Sequence, residues 1–150
     1  MRVREWSFAV VALVIPSSRA LAQDAAPAPK PTSLAERAAR RFPQPVRVGD
    51  LIGRDVLKPT EAQPVLGDVM AVVRRKDGSQ DVIVRFGGVL GIGARPIAVP
   101  VEAVALMGEY VAIMDFTPDQ LRAFPTFDSA GDAPLGADET IRVGIVRPFH

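Results

Sequence analysis

The chain has 150 residues, of which 48% are apolar, and this suffices for one small domain with a real core. It contains no cysteine, which excludes disulfides, thiolate metal sites and cysteine nucleophiles. The single histidine is the last residue, His150, so most acid–base and metal chemistry is excluded as well. The 14 prolines and 12 glycines indicate many turns and linkers.

The N-terminus has the three-part pattern of a secretory signal peptide. Two early arginines precede an apolar run from Phe8 to Ile15, which is shorter than the roughly 20 residues that a membrane-spanning helix needs. Ala20 and Ala22 then form a small-x-small cleavage pattern. We expect cleavage between Ala22 and Gln23 and a periplasmic or secreted mature protein. The alternatives are an uncleaved N-terminus that anchors the chain in a membrane, or a short buried helix.

Cleavage changes the charge of the mature chain. It removes three arginines and one glutamate, so the formal net charge falls from +1 to −1. A near-neutral domain with few aromatic residues lacks the basic surface that nucleic-acid binding requires. We therefore expect no nucleic-acid partner.

Residues 23–45 combine a tether with a short helix. Alternating Pro and Ala up to Thr32 favour an extended polyproline II segment that cannot form a core. Ser33 and Glu36 form a capping box, which predicts a helix over 33–41 ended by Pro43. Its apolar face is mostly alanine, so a helix that packs on its own domain or is loosely tethered to it is favoured over one that docks to a partner or membrane surface.

The pattern changes after Val46 to short alternating segments typical of strands. Strands are predicted near 51–57, 65–74, 81–86, 97–101 and 110–116, and a further one over 140–146. Asp77-Gly78 predicts a tight hairpin turn with positive φ at both positions. Thr117 and Gln120 form a second capping box, with Pro118 at the first helical position, and predict a helix over 118–124. Together these elements indicate a mainly β domain, either a small barrel or a sandwich.

Three motifs occur in order along residues 48–127. They are Val48-Gly-Asp-Leu-Ile-Gly53 followed by Leu66-Gly-Asp-Val69, then Gly87-Gly-Val-Leu-Gly-Ile-Gly93 followed by Ile97-Ala-Val-Pro100, and finally Thr117-Pro-Asp-Gln-Leu121 with Phe124-Pro125. In this order they resemble the PRC-barrel family, first recognised in the H subunit of photosynthetic reaction centres and in a ribosome-maturation factor. The resemblance implies a β-barrel of about six strands and a scaffold or binding role, not a reaction.

We therefore divide the chain into four parts. A signal peptide occupies 1–22, the tether and helix 23–45, the PRC-barrel-like domain 46–127, and a C-terminal extension with an extra strand 128–150. We expect residues 46–127 to fold alone.

No set of residues predicts catalysis, a metal or a cofactor. The stretch from Gly91 to Pro96 begins like a dinucleotide fingerprint but ends in proline and opens no helix. The glycines are better explained as structural, through positive φ at tight bends, at Gly87, Gly88, Gly91 and Gly93. The serines have no histidine partner, and the acidic residues from Asp128 to Glu139 match no calcium loop.

Four basic residues are the candidates for contact with a partner, namely Arg74, Arg75, Lys76 and Arg95. The first three form the densest basic run and flank the hairpin turn, whereas Arg95 is the charged residue of the glycine loop. We expect an exported, non-enzymatic binding or scaffold module with an unknown protein partner. The alternatives are an assembly factor for a membrane-bound, for example photosynthetic, complex, an RNA- or ribosome-associated factor if the chain is not exported, and a hydrolase of unrecognised type.

Overall fold

The computed structural model describes residues 32–88 and 92–148, so the predicted signal peptide, its cleavage residues Ala20, Ala22 and Gln23, and most of the tether lie outside the described residues. The described part is mainly β, as the sequence predicts. Its elements, in chain order, are α1 (Leu34–Ala39), β1 (Gln44–Arg47), α2 (Val48–Leu51), β2 (Asp55–Leu57), β3 (Val65–Arg74), β4 (Gln80–Phe86), β5 (Arg95–Pro100), a 3-10 turn (Val101–Ala103), β6 (Val104–Met107), β7 (Tyr110–Ile113), α3 (Pro118–Arg122), β8 (Ala133–Pro134) and β9 (Thr140–Ile145).

These strands form one sheet in the order β1-β9-β6-β7-β2-β3-β4-β5, and the short strand β8 pairs with β3. Most neighbours are antiparallel, but β2 with β7 and β6 with β9 are parallel. Both end strands contain proline, at Pro45 in β1 and at Pro96 and Pro100 in β5.

The expected barrel of about six strands is not what the described residues form. They contain nine strands, and the sheet does not close, since β1 and β5 end it without pairing to each other. Three of the additional strands come from segments placed outside the barrel on sequence grounds: β1 begins at Gln44, and both β8 and β9 lie in the C-terminal extension. β9 pairs with both β1 and β6, so a boundary at 127 separates it from its neighbours in the sheet.

The entry motif also folds differently from its prediction as the start of a strand. Residues Val48–Leu51 form one helical turn whose Val48 and Leu51 side chains are buried, and only Asp55–Leu57 pair as a strand. At the hairpin after β3, Gly78 has φ +87°, whereas Asp77 is not among the residues with positive φ. Asp77 instead accepts hydrogen bonds from the backbone N–H and hydroxyl of Ser79, at 2.9 and 2.6 Å.

The core lies mainly on one face of the sheet. Val82, Val84 and Phe86 of β4 point into it, as their alternation predicts, together with Ile97 and Val99 of β5. The opposite face of the central strands is buried too, because Leu57, Met107 and Ala112 form a smaller apolar cluster. Both predicted capping boxes are present, at the starts of α1 and α3.

In residues 32–88 and 92–148, no helix is long and apolar enough to cross a membrane.

Candidate functional site

The basic run beside the β3–β4 hairpin is only partly free. Arg74 Nη2 lies 3.3 Å from Glu139 Oε2 in a half-exposed ion pair. Arg75 Nε donates to Asp81, whose side chain is only 4% exposed, and this contact compensates the buried carboxylate. Lys76 has no ion pair within the described ranges, and its side chain lies over the backbone of Gly131. The structure therefore uses two of the three cations internally and leaves Lys76 for solvent or a partner.

A cleft of about 390 Å³ opens next to Arg75. Strand β5 forms one wall, and the segment that follows α3 forms the other. The lining is mixed, with two aromatic rings, two prolines, one cation and two carboxylates, and comprises Arg75, Ala98, Pro100, Phe124, Pro125, Thr126, Phe127, Asp128 and Asp132. Such an open surface with apolar and charged groups side by side suits a protein segment better than a small apolar ligand.

Arg95 binds the backbone of the segment that forms one wall of this cleft. Its guanidinium donates to the backbone carbonyls of Phe124 and Arg122, both at 2.6 Å, and to that of Leu121 at 3.5 Å. These carbonyls lie at the end of α3, where a helix leaves carbonyls without intrahelical partners and where a cation is favoured. The guanidinium of Arg95, a candidate for contact with a partner on sequence grounds, thus already has internal acceptors.

The wall formed by Phe124 is fixed on its other side by an aromatic contact. The rings of Phe124 and Phe116 meet edge to face with centroids 5.0 Å apart. The backbone N–H of Phe127 donates to the carbonyl of Pro96 at 2.7 Å, which attaches the segment to the outer edge of β5. The cleft therefore has defined walls on both sides.

The glycine loop has the positive φ angles that the structural interpretation predicts, at Gly87 (+79°), Gly88 (+83°) and Gly93 (+80°). Gly91 lies outside the described residues. A Cβ on Gly88 would lie 2.8 Å from the backbone N of Ala94 and from the backbone O of Ile92, whereas a Cβ on Gly87 would meet nothing within 4 Å. A close approach of backbone thus adds to the φ requirement at Gly88.

The structure also brings together a polar cluster that the sequence did not reveal. Asp115 follows strand β7, and its side chain is 8% exposed. Arg37 Nε donates to Asp115 Oδ1 at 2.7 Å, and Arg41 Nη2 lies 2.8 Å from the same carboxylate. The nearby Lys58 Nζ donates to the carbonyl of Phe116 at 2.9 Å, and burial lowers the pKa of Lys58 although the charge of Asp115 opposes that shift. The signal available in the sequence was the i, i+4 spacing of Arg37 and Arg41, which places both cations on one face of a helix.

The other candidates for chemistry stay apart. Ser33 caps α1, Ser79 is bonded to Asp77, and His150 lies outside the described residues. Of the acidic residues near the C-terminus, Asp138 pairs with Arg47 and Glu139 with Arg74. Among the residues whose placement is described, no three His, Cys, Asp or Glu side chains are grouped so that they could hold a metal ion.

Comparison of the chain with models of protein families, with curated proteins and with solved structures gives no match.

Proposed function

We propose that this chain is an exported, non-enzymatic binding or scaffold module of the bacterial periplasm. We propose further that its open sheet is a variant of the PRC-barrel architecture. The N-terminal signal pattern supports export, and the order of the three motifs supports the family. The observation that carries the binding role is the cleft beside Arg75, where aromatic rings, prolines and charged groups lie open together.

The chemistry of the cleft indicates what it binds. Phe124 and Phe127 offer apolar area, and Asp128 and Asp132 add negative charge at the same opening. Binding to proteins concentrates its free energy in a few aromatic or arginine anchors that fill a pocket. The partner is therefore a protein segment that presents an apolar anchor flanked by basic groups.

A pull-down from a periplasmic extract tests this role. We expect the mature protein to begin at Gln23 and to capture a defined partner. Phe127→Ser removes an aromatic ring from the cleft and should abolish capture. Val65→Ser is the matched control, because Val65 is 65% exposed and lies outside the cleft lining.

Two outcomes would count against the proposal. If the Phe127→Ser protein captures the same partner as the parent, the cleft is not the binding surface. If the full-length chain fractionates with membranes and its first 22 residues remain attached, the alternative role as an accessory factor of a membrane-bound complex takes the place of this one.

A further inference from the structure

Helix α1 is attached to the domain by charge more than by burial. None of its residues Leu34–Ala39 is fully buried, and among them only Leu34 packs against the main core. The contacts that cross to the sheet are those of Arg37 and Arg41 with Asp115, described above. Arg41 Nη1 also donates to the backbone carbonyl of Glu102 at 3.0 Å. A helix with little apolar contact area depends on such contacts for its position.

The acceptor of these contacts is fixed in the sheet. Lys58 Nζ donates to the carbonyls of Ile113, Met114 and Phe116, which hold the segment around Asp115. Asp115 Oδ2 is buried and has no hydrogen bond of good geometry within the described part of the chain, although Arg41 Nη2 is 2.8 Å away. The direct ion pairs of the carboxylate are thus with Arg37 in α1 and with Arg41, two residues after the end of α1.

Beneath α1 lies a cavity of about 430 Å³. The helix contributes three alanines to it, and the opposite side comes from β9 and the 3-10 turn; the lining comprises Ala35, Ala38, Ala39, Pro43, Gln80, Val101, Glu102, Thr140, Ile141, Arg142 and Gly144. This cavity is open to solvent, because Ala35 and Ala39 are exposed and Ala38 is only half-buried. The short side chains of α1 therefore line one side of it without filling it.

The connection from α1 to β1 is strained. Phe42 has φ +53°, a left-handed conformation that aromatic residues rarely adopt, and its side chain is 78% exposed. Pro43 follows Phe42. The residue before Phe42 is Arg41, whose carbonyl accepts a hydrogen bond from the backbone N–H of Ile145 at 2.8 Å, and this bond joins the segment after α1 to the end of β9. Phe42 is therefore the residue at which a change of φ would relieve strain, and α1 lies directly before it in the chain.

We propose that α1 is a strap that lies along one side of this open cavity and detaches as a unit when its contacts with Asp115 are broken, while the sheet stays folded. The attached state is held by the carboxylate of Asp115, and detachment separates the alanines of α1 from the cavity wall formed by β9. This proposal does not depend on the cleft beside Arg75, which uses different residues.

Limited trypsin digestion of the full chain tests the strap, because α1 and its C-terminal end contain three cleavage sites, at Arg37, Arg40 and Arg41. The variant Asp115→Asn keeps the shape of the side chain and removes its charge. Loss of hydrogen bonds to a charged partner shifts an equilibrium by about ten- to a hundredfold, and we expect cleavage at these sites to accelerate by that factor. Far-UV circular dichroism and amide exchange in β3 and β4 should stay as in the parent.

Two further variants make the test decisive. Asp138→Asn is the matched control, since its partner Arg47 and its own carboxylate are both largely exposed, at 63% and 96%. Ala38→Glu places a charge on the cavity side of α1, near Glu102, without touching Asp115, and should also accelerate cleavage. The proposal is overturned if neither variant cleaves faster than Asp138→Asn, or if β3 and β4 lose protection together with α1.

Discussion

Replacing Arg95 by alanine should destabilise the domain clearly, although a charged residue at a loop end usually contributes little. The change removes three hydrogen bonds from one guanidinium to the carbonyls of Leu121, Arg122 and Phe124. A hydrogen bond to a charged group contributes about 1.5–3 kcal/mol, and water replaces part of this because the Arg95 side chain is only partly buried. We expect a loss of about 2–3 kcal/mol, equivalent to a fall in melting temperature of roughly 10 °C for a domain of this size.

The assay is thermal unfolding followed by circular dichroism, and the control is a variant of an arginine in α3, the helix whose carbonyls Arg95 contacts. Arg122→Ala removes only an exposed i, i+3 ion pair with Asp119, so its stability should stay within about 0.5 kcal/mol of the parent. Arg95→Ala should also weaken capture of the partner, because Phe124 lines the cleft. If Arg95→Ala and Arg122→Ala melt at the same temperature, the reasoning from the carbonyl contacts is refuted.

Three further predictions follow from burial and contact geometry. A fragment of residues 46–127 should show no cooperative unfolding transition by circular dichroism, because it lacks β9. The buried side chains of Ile141 and Val143 are lost with β9, and each contributes about 1.5–3 kcal/mol to the free energy of unfolding. A cooperative transition in that fragment would show that β9 is dispensable. Gly67→Ala should lower the midpoint of urea denaturation much more than Gly53→Ala. A Cβ on residue 67 would lie 1.8 Å from the carbonyl oxygen of Arg85, whereas a Cβ on residue 53 would meet nothing within 4 Å. Equal midpoints for the two variants would contradict this. Burial lowers the pKa of Lys58 in the folded state, so between that pKa and about 10.4 the unfolded chain binds more protons and the free energy of unfolding should rise with pH. Urea denaturation at a series of alkaline pH values measures this dependence, and Lys58→Met should make the rise with pH less steep. An equally steep rise in the variant would count against the burial of the amine.

Local signals in the sequence predicted local structure well. The capping boxes at Ser33 and Thr117 are present, and the alternation in 81–86 places Val82 and Val84 in the core. Each of these signals involves residues that are near neighbours in the chain, so their geometry follows from backbone periodicity alone.

Contacts between residues that are far apart in the chain could not be predicted from local patterns in the sequence. β1 pairs with β9 across most of the domain, and Arg41 reaches Asp115 over 74 positions. Neither pairing leaves a local pattern, because any exposed strand can pair and any arginine can meet a carboxylate. The same holds for Arg95, whose carbonyl partners lie 26 to 29 positions further along the chain. Its role depends on where α3 packs, which only the folded chain determines.

The prolines in the two end strands bear on how this sheet meets other molecules. A proline in an edge strand has no N–H to offer, so a strand that approaches β1 beside Pro45, or β5 beside Pro96 and Pro100, cannot complete a ladder of hydrogen bonds. Growth of the sheet from copy to copy, the first step towards fibrils, is therefore disfavoured at both ends. The sheet can thus stay open without becoming a template on which further strands assemble. Association must then take place through side chains on its faces and loops, so recognition depends on their chemistry rather than on backbone pairing.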